Sequence, residues 1–154
     1  MKISKKFEPL VAGAAASIII GILSFLSFET STGFWLMFSF GSTTLIVLLF
    51  HESDFAQPKN ILFGHLLGIT TGIFFNEIMG ISFISLGLAV GLTVTLMMYF
   101  KFIHPPAAAN PLIALFADVS YNYILFPVIV GSVVIIILSI IINKIILKRI
   151  YPKK

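Results

Sequence analysis

The 154-residue chain has no cysteine and only six acidic residues. The first absence excludes a disulfide framework, thiolate chemistry and cysteine-ligated metal. The second, with three scattered histidines, leaves no set of side chains at metal-site spacing, so no metal or other cofactor is expected. There is no serine-elbow motif and no Gly-rich nucleotide loop, and the expectation is that the chain is not an enzyme. Charge of either sign is scarce: 10% of residues are charged, against roughly 25% in soluble domains. A water-facing surface cannot be built from so little. In its place stand 58% apolar residues and a mean hydropathy of +1.09, which make a lipid bilayer the expected solvent. A pI near 9.5 would suggest nucleic acid in a soluble domain. Here the basic residues flank apolar runs, and nucleic acid is not an expected partner.

The apolar runs cover about 10–27, 34–50, 61–78, 82–102, 106–117 and 123–147. A crossing needs about 20 apolar residues, so four or five runs qualify and 106–117 is too short as a plain helix. The ten Lys and Arg fall at Lys2, Lys5, Lys6, Lys59, Lys101, Lys144, Lys148, Arg149, Lys153 and Lys154. Positive charge beside membrane spans is held on the cytoplasmic side. Six crossings put all ten inside, with Glu29, Glu77 and Asp118 outside. A re-entrant 106–117 would put five tail charges outside. The first run is too long for a signal-peptide core and lacks a clear cleavage site, so it reads as a span. The expectation is a single all-α domain over residues 1–154. It is a polytopic membrane bundle of about six segments in the cell (inner) membrane, with both termini cytoplasmic.

An internal echo suggests how the bundle is built. Gly41-Ser42-Thr43-Thr44-Leu45-Ile46-Val47 resembles Ala108-Ala109-Asn110-Pro111-Leu112-Ile113-Ala114 at an offset of 67. The same offset aligns Asn60-Ile61-Leu62-Phe63-Gly64 with Pro127-Val128-Ile129-Val130-Gly131. Three crossings per half would invert the second half, giving a 3+3 inverted repeat with its binding site near the midplane. From Pro106 to Asp118 a helix would rise only about 18 Å, so the chain is expected to enter in extended form through His104-Pro105-Pro106. Pro105 disfavours helix at His104, and Pro106 suits the first helical position. The echo gives Gly41 the matching role. Two half-helix starts would then approach the centre from opposite sides, each offering backbone N–H groups to an anion.

At these residues the chain resembles the HPP integral membrane proteins, whose motif is similar to H-P-P-A-G-A-T. Here it reads His104-Pro105-Pro106-Ala107-Ala108-Ala109-Asn110. Two more family blocks resemble Gly41 to Val47 and Ala56-Gln57-Pro58-Lys59-Asn60-Ile61-Leu62-Phe63-Gly64-His65, and the resemblance runs from about Phe38 to Asn143. Ala108 stands for the family's usual Gly, Asn110 for its Thr and Lys59 for its Arg, which keeps charge but loses bidentate recognition of an oxyanion. The resemblance implies a four-span membrane protein and, through plant and cyanobacterial relatives, nitrite transport.

Candidate substrate-binding residues are therefore His104, Pro105, Pro106, Ala107, Ala108, Asn110, Gly41, Ser42, Thr43, Thr44 and His65, with Lys59 and Lys101 as a basic vestibule. Each has a plainer reading. His104 caps the half-helix, His65 makes an interhelical hydrogen bond, Ser42 to Thr44 bond back to their own helix, and the two lysines only mark topology. Gly64, Gly68 and Gly72 recur every fourth residue, a pattern of close helix packing. Two functions compete: a permease or channel for a small anion such as nitrite, or a non-transporting scaffold or regulatory subunit. Acids confined to span ends favour an anion over a cation. Self-association is left open.

Overall fold

The computed structural model describes residues 6–31 and 33–153; Lys2, Lys5 and Lys154 lie outside them. All regular structure among the described residues is helical. Six helices follow one another: α1 (Glu8–Phe28), α2 (Ser39–Leu49), α3 (Pro58–Met79), α4 (Phe83–Phe100), α5 (Asn110–Phe116) and α6 (Ile124–Ile146). Four of them, α1, α3, α4 and α6, are long and apolar enough to cross a membrane. At 1.5 Å per residue they reach about 27–35 Å. The 11 residues of α2 rise only about 16 Å. The seven residues of α5 are preceded by a 3₁₀ turn over Pro105–Ala109.

Local chemistry places the breaks. Ser82 and Ser85 form a reciprocal capping box at the start of α4. Lys101, with φ 58°, ends that helix in the left-handed region, and Phe102 N–H returns to Met97 C=O at 2.9 Å. This Schellman-type ending turns the chain back toward the bundle as the segment Phe102 to His104. In α6, Phe126 is extended (φ −122°, ψ 120°) because Pro127 disfavours helix at the residue before it.

The second apolar run differs from the sequence expectation. Residues 33–37 are not helical, and helix begins only at Ser39. The break therefore lies before Gly41, which sits in the first turn of α2. Non-helical backbone inside a membrane needs partners for its N–H groups. Ser27 of α1 supplies them, its Oγ accepting from Trp35 N–H at 2.9 Å and Leu36 N–H at 3.0 Å.

Contacts at the helix ends order the bundle. Glu8 pairs with Arg149, Lys153 with Asp54 at 3.2 Å, and the Tyr151 hydroxyl donates to Ala56 C=O at 2.7 Å. The start of α1, the α2–α3 loop and the chain after α6 thus share one end. At the other end Asn76 donates to Asp118 at 2.7 Å and Tyr121 to Glu77 at 2.6 Å. Successive helices alternate in direction between these ends.

Glycines let two elements come close. A methyl on Gly64 would lie 2.7 Å from His104 Cβ and 3.2 Å from Phe102 O, and one on Gly68 would lie 2.4 Å from Ala107 O. One on Gly72 would meet Ala114 Cβ and Pro111 Cα, both at 2.6 Å. The glycine stripe of α3 is the bed on which residues 102–114 lie. On α6, Gly131 does the same for the segment leading into α2, where a methyl would lie 2.5 Å from Trp35 O and 2.4 Å from Phe40 Cε2. Gly87 and Gly91 face outward with nothing within 4 Å.

Candidate functional site

Between α2, α3 and the segment 104–110 lies a buried polar cluster. Thr43, His65, His104 and Asn110 are each 0% exposed. Thr43 Oγ1 stands 2.9 Å from His65 Nε2 and 2.9 Å from His104 Nε2. His104 Nδ1 is 2.7 Å from Phe55 C=O. The Asn110 amide nitrogen reaches His65 Nδ1 at 3.0 Å and His65 C=O at 3.1 Å, while its oxygen accepts from Ser39 Oγ at 2.8 Å.

With both imidazoles neutral, these bonds admit one consistent proton assignment. Carbonyl oxygens only accept, so the Asn110 nitrogen faces His65 and His104 carries its proton on Nδ1. His65 Nδ1 then accepts from Asn110, which leaves the proton of that ring on Nε2, donated to Thr43. The one hydroxyl proton of Thr43 is shared between His104 Nε2 and Ser39 C=O, 3.1 Å away. The result is a directed relay from Asn110 through His65, Thr43 and His104 to the Phe55 carbonyl. Burial at such depth is tolerated only because every member is partnered.

The two short helices overlap side by side. Ser39, the first residue of α2, meets Asn110, the first of α5; one turn into α2, Thr43 meets His104, which precedes the 3₁₀ turn. The expected end-on approach of two helix starts is thus an antiparallel overlap of about one turn. Nor do the starts present a row of free donors, because Ala107 N–H is given to His104 C=O at 3.0 Å by the tight 3₁₀ geometry.

Of the residues singled out from sequence, His104, His65, Thr43 and Asn110 come together. Pro106 and Ala107 are buried beside them, Ala107 against Gly64 and Gly68 of α3, while Ala108 is half-buried and Pro105 exposed. Gly41 and Ser42 are exposed and take no part in the cluster's hydrogen bonds. Thr44 is buried, with its hydroxyl unpartnered among the described residues, as are the hydroxyls of Ser132 and Ser139 on α6. The two lysines do not line the cluster: Lys101 is exposed, and the Lys59 ammonium lies 4.9 Å above the Phe102 ring. Sequence reasoning missed Ser39, whose only signal is its place directly after the aromatic stretch Phe34 to Phe38. Ser39 also lines a hollow of about 480 Å³ between α2 and α5, with Ser42, Ala109 and Ile113.

Apolar helices of spanning length around a buried polar cluster define an integral membrane protein. The chain belongs to the HPP transmembrane region family, whose model matches residues 2–152, well beyond the span of the motif resemblance. It is similar to a transmembrane protein of Dictyostelium discoideum, 27% identical over 143 residues that cover 88% of this chain and 46% of the relative. A second transmembrane protein of that organism is 27% identical over 122 residues, 74% of this chain and 43% of the relative. The chain therefore spans less than half the length of these curated relatives. No solved structure matches it significantly.

Proposed function

We propose that this protein is a non-enzymatic permease for a small inorganic anion, nitrite among the candidates, in the cell (inner) membrane with both termini cytoplasmic. The observation that carries the reading is the Thr43–His65–His104–Asn110 cluster, placed where two short helices overlap. Ionisable residues inside a membrane protein are functional candidates by default. This cluster is rich in hydrogen-bond donors and holds no carboxylate. All six acids of the chain lie at or beyond helix ends, away from it: Glu8, Glu29, Glu52, Asp54, Glu77 and Asp118. The site is closed, so transport needs α2 to part from residues 104–110, breaking the Ser39–Asn110 bond; Ser39 also lines the hollow between α2 and α5.

The inverted repeat belongs to the same proposal, and element bounds and contacts support it. Shifting Ser39–Leu49 by 67 gives 106–116, against Pro105–Phe116 for the 3₁₀ turn with α5. Shifting Pro58–Met79 gives 125–146, against Ile124–Ile146. Gly64 packs on Phe102 O and Ala107; the same shift turns positions 64, 35 and 40 into 131, 102 and 107, and Gly131 packs on Trp35 O and Phe40. α1 fits less well, since its shifted bounds of 75–95 precede those of α4.

The test is flux in proteoliposomes with a panel of small anions. Wild-type protein should carry at least one anion, and His65→Ala and Thr43→Ala should each reduce that flux at least tenfold. If His104 passes protons, His104→Ala should flatten the pH dependence of flux. Folded wild-type protein that carries none of the anions would move the assignment to a scaffold or regulatory subunit.

A further inference from the structure

The repeat relation pairs the polar cluster with a place on α6. Shifting Thr43 by 67 gives Asn110, so these two residues are each other's counterparts. Both bond to His65, at 2.9 Å and 3.0 Å. Two counterparts that meet on one side chain lie close together astride the pseudo-twofold axis, and any group beside them has a counterpart across that axis. His65 shifted by 67 is Ser132. Ser132 is 0% exposed, and its hydroxyl has no hydrogen-bond partner among the described residues. A hydroxyl so placed inside a membrane bundle is destabilising unless something else meets it.

One aromatic ring touches both halves. The Phe40 ring stands T-shaped to His65 at 5.2 Å between centroids, and it also packs on Gly131, the residue before Ser132. In the other half the place of Phe40 belongs to Ala107, a single methyl. Bulk thus occupies the Ser132 side of the axis, while the His65 side has room for imidazoles.

We infer that Ser132 is a second anion-binding position, the counterpart of His65, which meets the anion together with Thr43 and Asn110 when α2 moves and carries Phe40 aside. This rests on the transport reading above. The ligand class is a small oxyanion, whose oxygens accept from the hydroxyls of Ser132 and Thr43 and the amide of Asn110. Unlike His65, Ser132 holds the anion without a ring that can take up a proton. The two positions would therefore bind it with different dependence on pH.

The chain's lack of cysteine makes the test direct. Ser132→Cys is reconstituted in liposomes and treated with a small anionic methanethiosulfonate, with and without millimolar nitrite. Thr93→Cys, which replaces a 0% exposed residue paired with Thr71, is the control. The expected result is modification of the Ser132→Cys protein at least tenfold faster than of the Thr93→Cys protein, slowed several-fold by nitrite. Equal reactivity of the two variants, no reaction at position 132, or no protection by nitrite would each overturn the inference. Ser132→Ala adds a second readout: at least tenfold lower flux is expected, whereas a purely structural hydroxyl would leave flux unchanged. Wild-type flux in Ser132→Ala with an unreactive thiol in Ser132→Cys removes this site and leaves the transport reading intact. If the wild type carries no anion, the transport reading fails, and nitrite protection of the thiol in Ser132→Cys still decides whether this position binds the anion.

Discussion

Thr43 holds the cluster together, because one hydroxyl serves two imidazoles. Removing it leaves two buried ring nitrogens with a lost partner each. Thr43→Ala should cost about 1–3 kcal/mol of stability by this route, while Thr43→Ser keeps the hydroxyl and should recover most of it. Thermal unfolding in detergent separates the two; equal melting temperatures for both variants would mean the hydroxyl carries no stabilising bond. Much of this site is legible from residue type alone. Histidine and asparagine within apolar stretches stand out, which marks both histidines and Asn110 without any geometry. Ser39 and Phe40 are not marked in this way, because one serine or phenylalanine among many carries no signal until its neighbours across the bundle are known. The expected anion nest of backbone donors fails for a local reason. A 3₁₀ turn closes its own hydrogen bonds sooner than an open helix start does.

At the scale of elements, the long helices can be read from apolar length, since 18 or more apolar residues have few other uses. The run at 34–50 cannot be divided the same way. Its first part, Phe34-Trp35-Leu36-Met37-Phe38, is as apolar as a helix yet lies outside one, and hydropathy reports surroundings rather than backbone shape. The glycine stripe of α3 reads as packing in the sequence, and the structure adds what it packs against. Gly68→Ala would drive a methyl to 2.4 Å from the Ala107 carbonyl, with backbone on the opposing side and little room to yield. Overpacking of this kind costs about 1–3 kcal/mol. Gly87→Ala on α4 meets nothing within 4 Å and should stabilise its helix by about 0.5–1 kcal/mol. Unfolding midpoints should therefore move in opposite directions; a shared direction would mean that the 102–114 segment does not rest on α3 as described. At the end of α4, Lys101→Gly should raise the midpoint, because φ 58° costs a lysine more than a glycine.

Over the whole molecule, the positive charge of the described residues gathers at one end. Arg149 donates to Leu48 C=O at 2.6 Å and pairs with Glu8, so one guanidinium ties together the end of α2, the start of α1 and the chain after α6. Burial lowers its pKa from the ordinary arginine value. Lys59, Lys101 and Lys153 gather at the same end, while Glu29, Glu77 and Asp118 lie at the other. That sorting agrees with the lysine and arginine pattern in the sequence, and it makes the orientation testable in a chain free of cysteine. Single cysteines at Glu29, Glu77 and Asp118 should react with an impermeant thiol reagent on intact cells. Cysteines at Glu52 and Lys153 should react only after permeabilisation. The decisive comparison is 118 against 153. The first is bonded to Asn76 and the second to Asp54, at opposite ends of α3, so the two positions should never label from the same side. If they do, α5 returns to the side it came from and the paired halves are lost. If all five label with the sides exchanged, the bundle stands and only its cytoplasmic assignment is reversed.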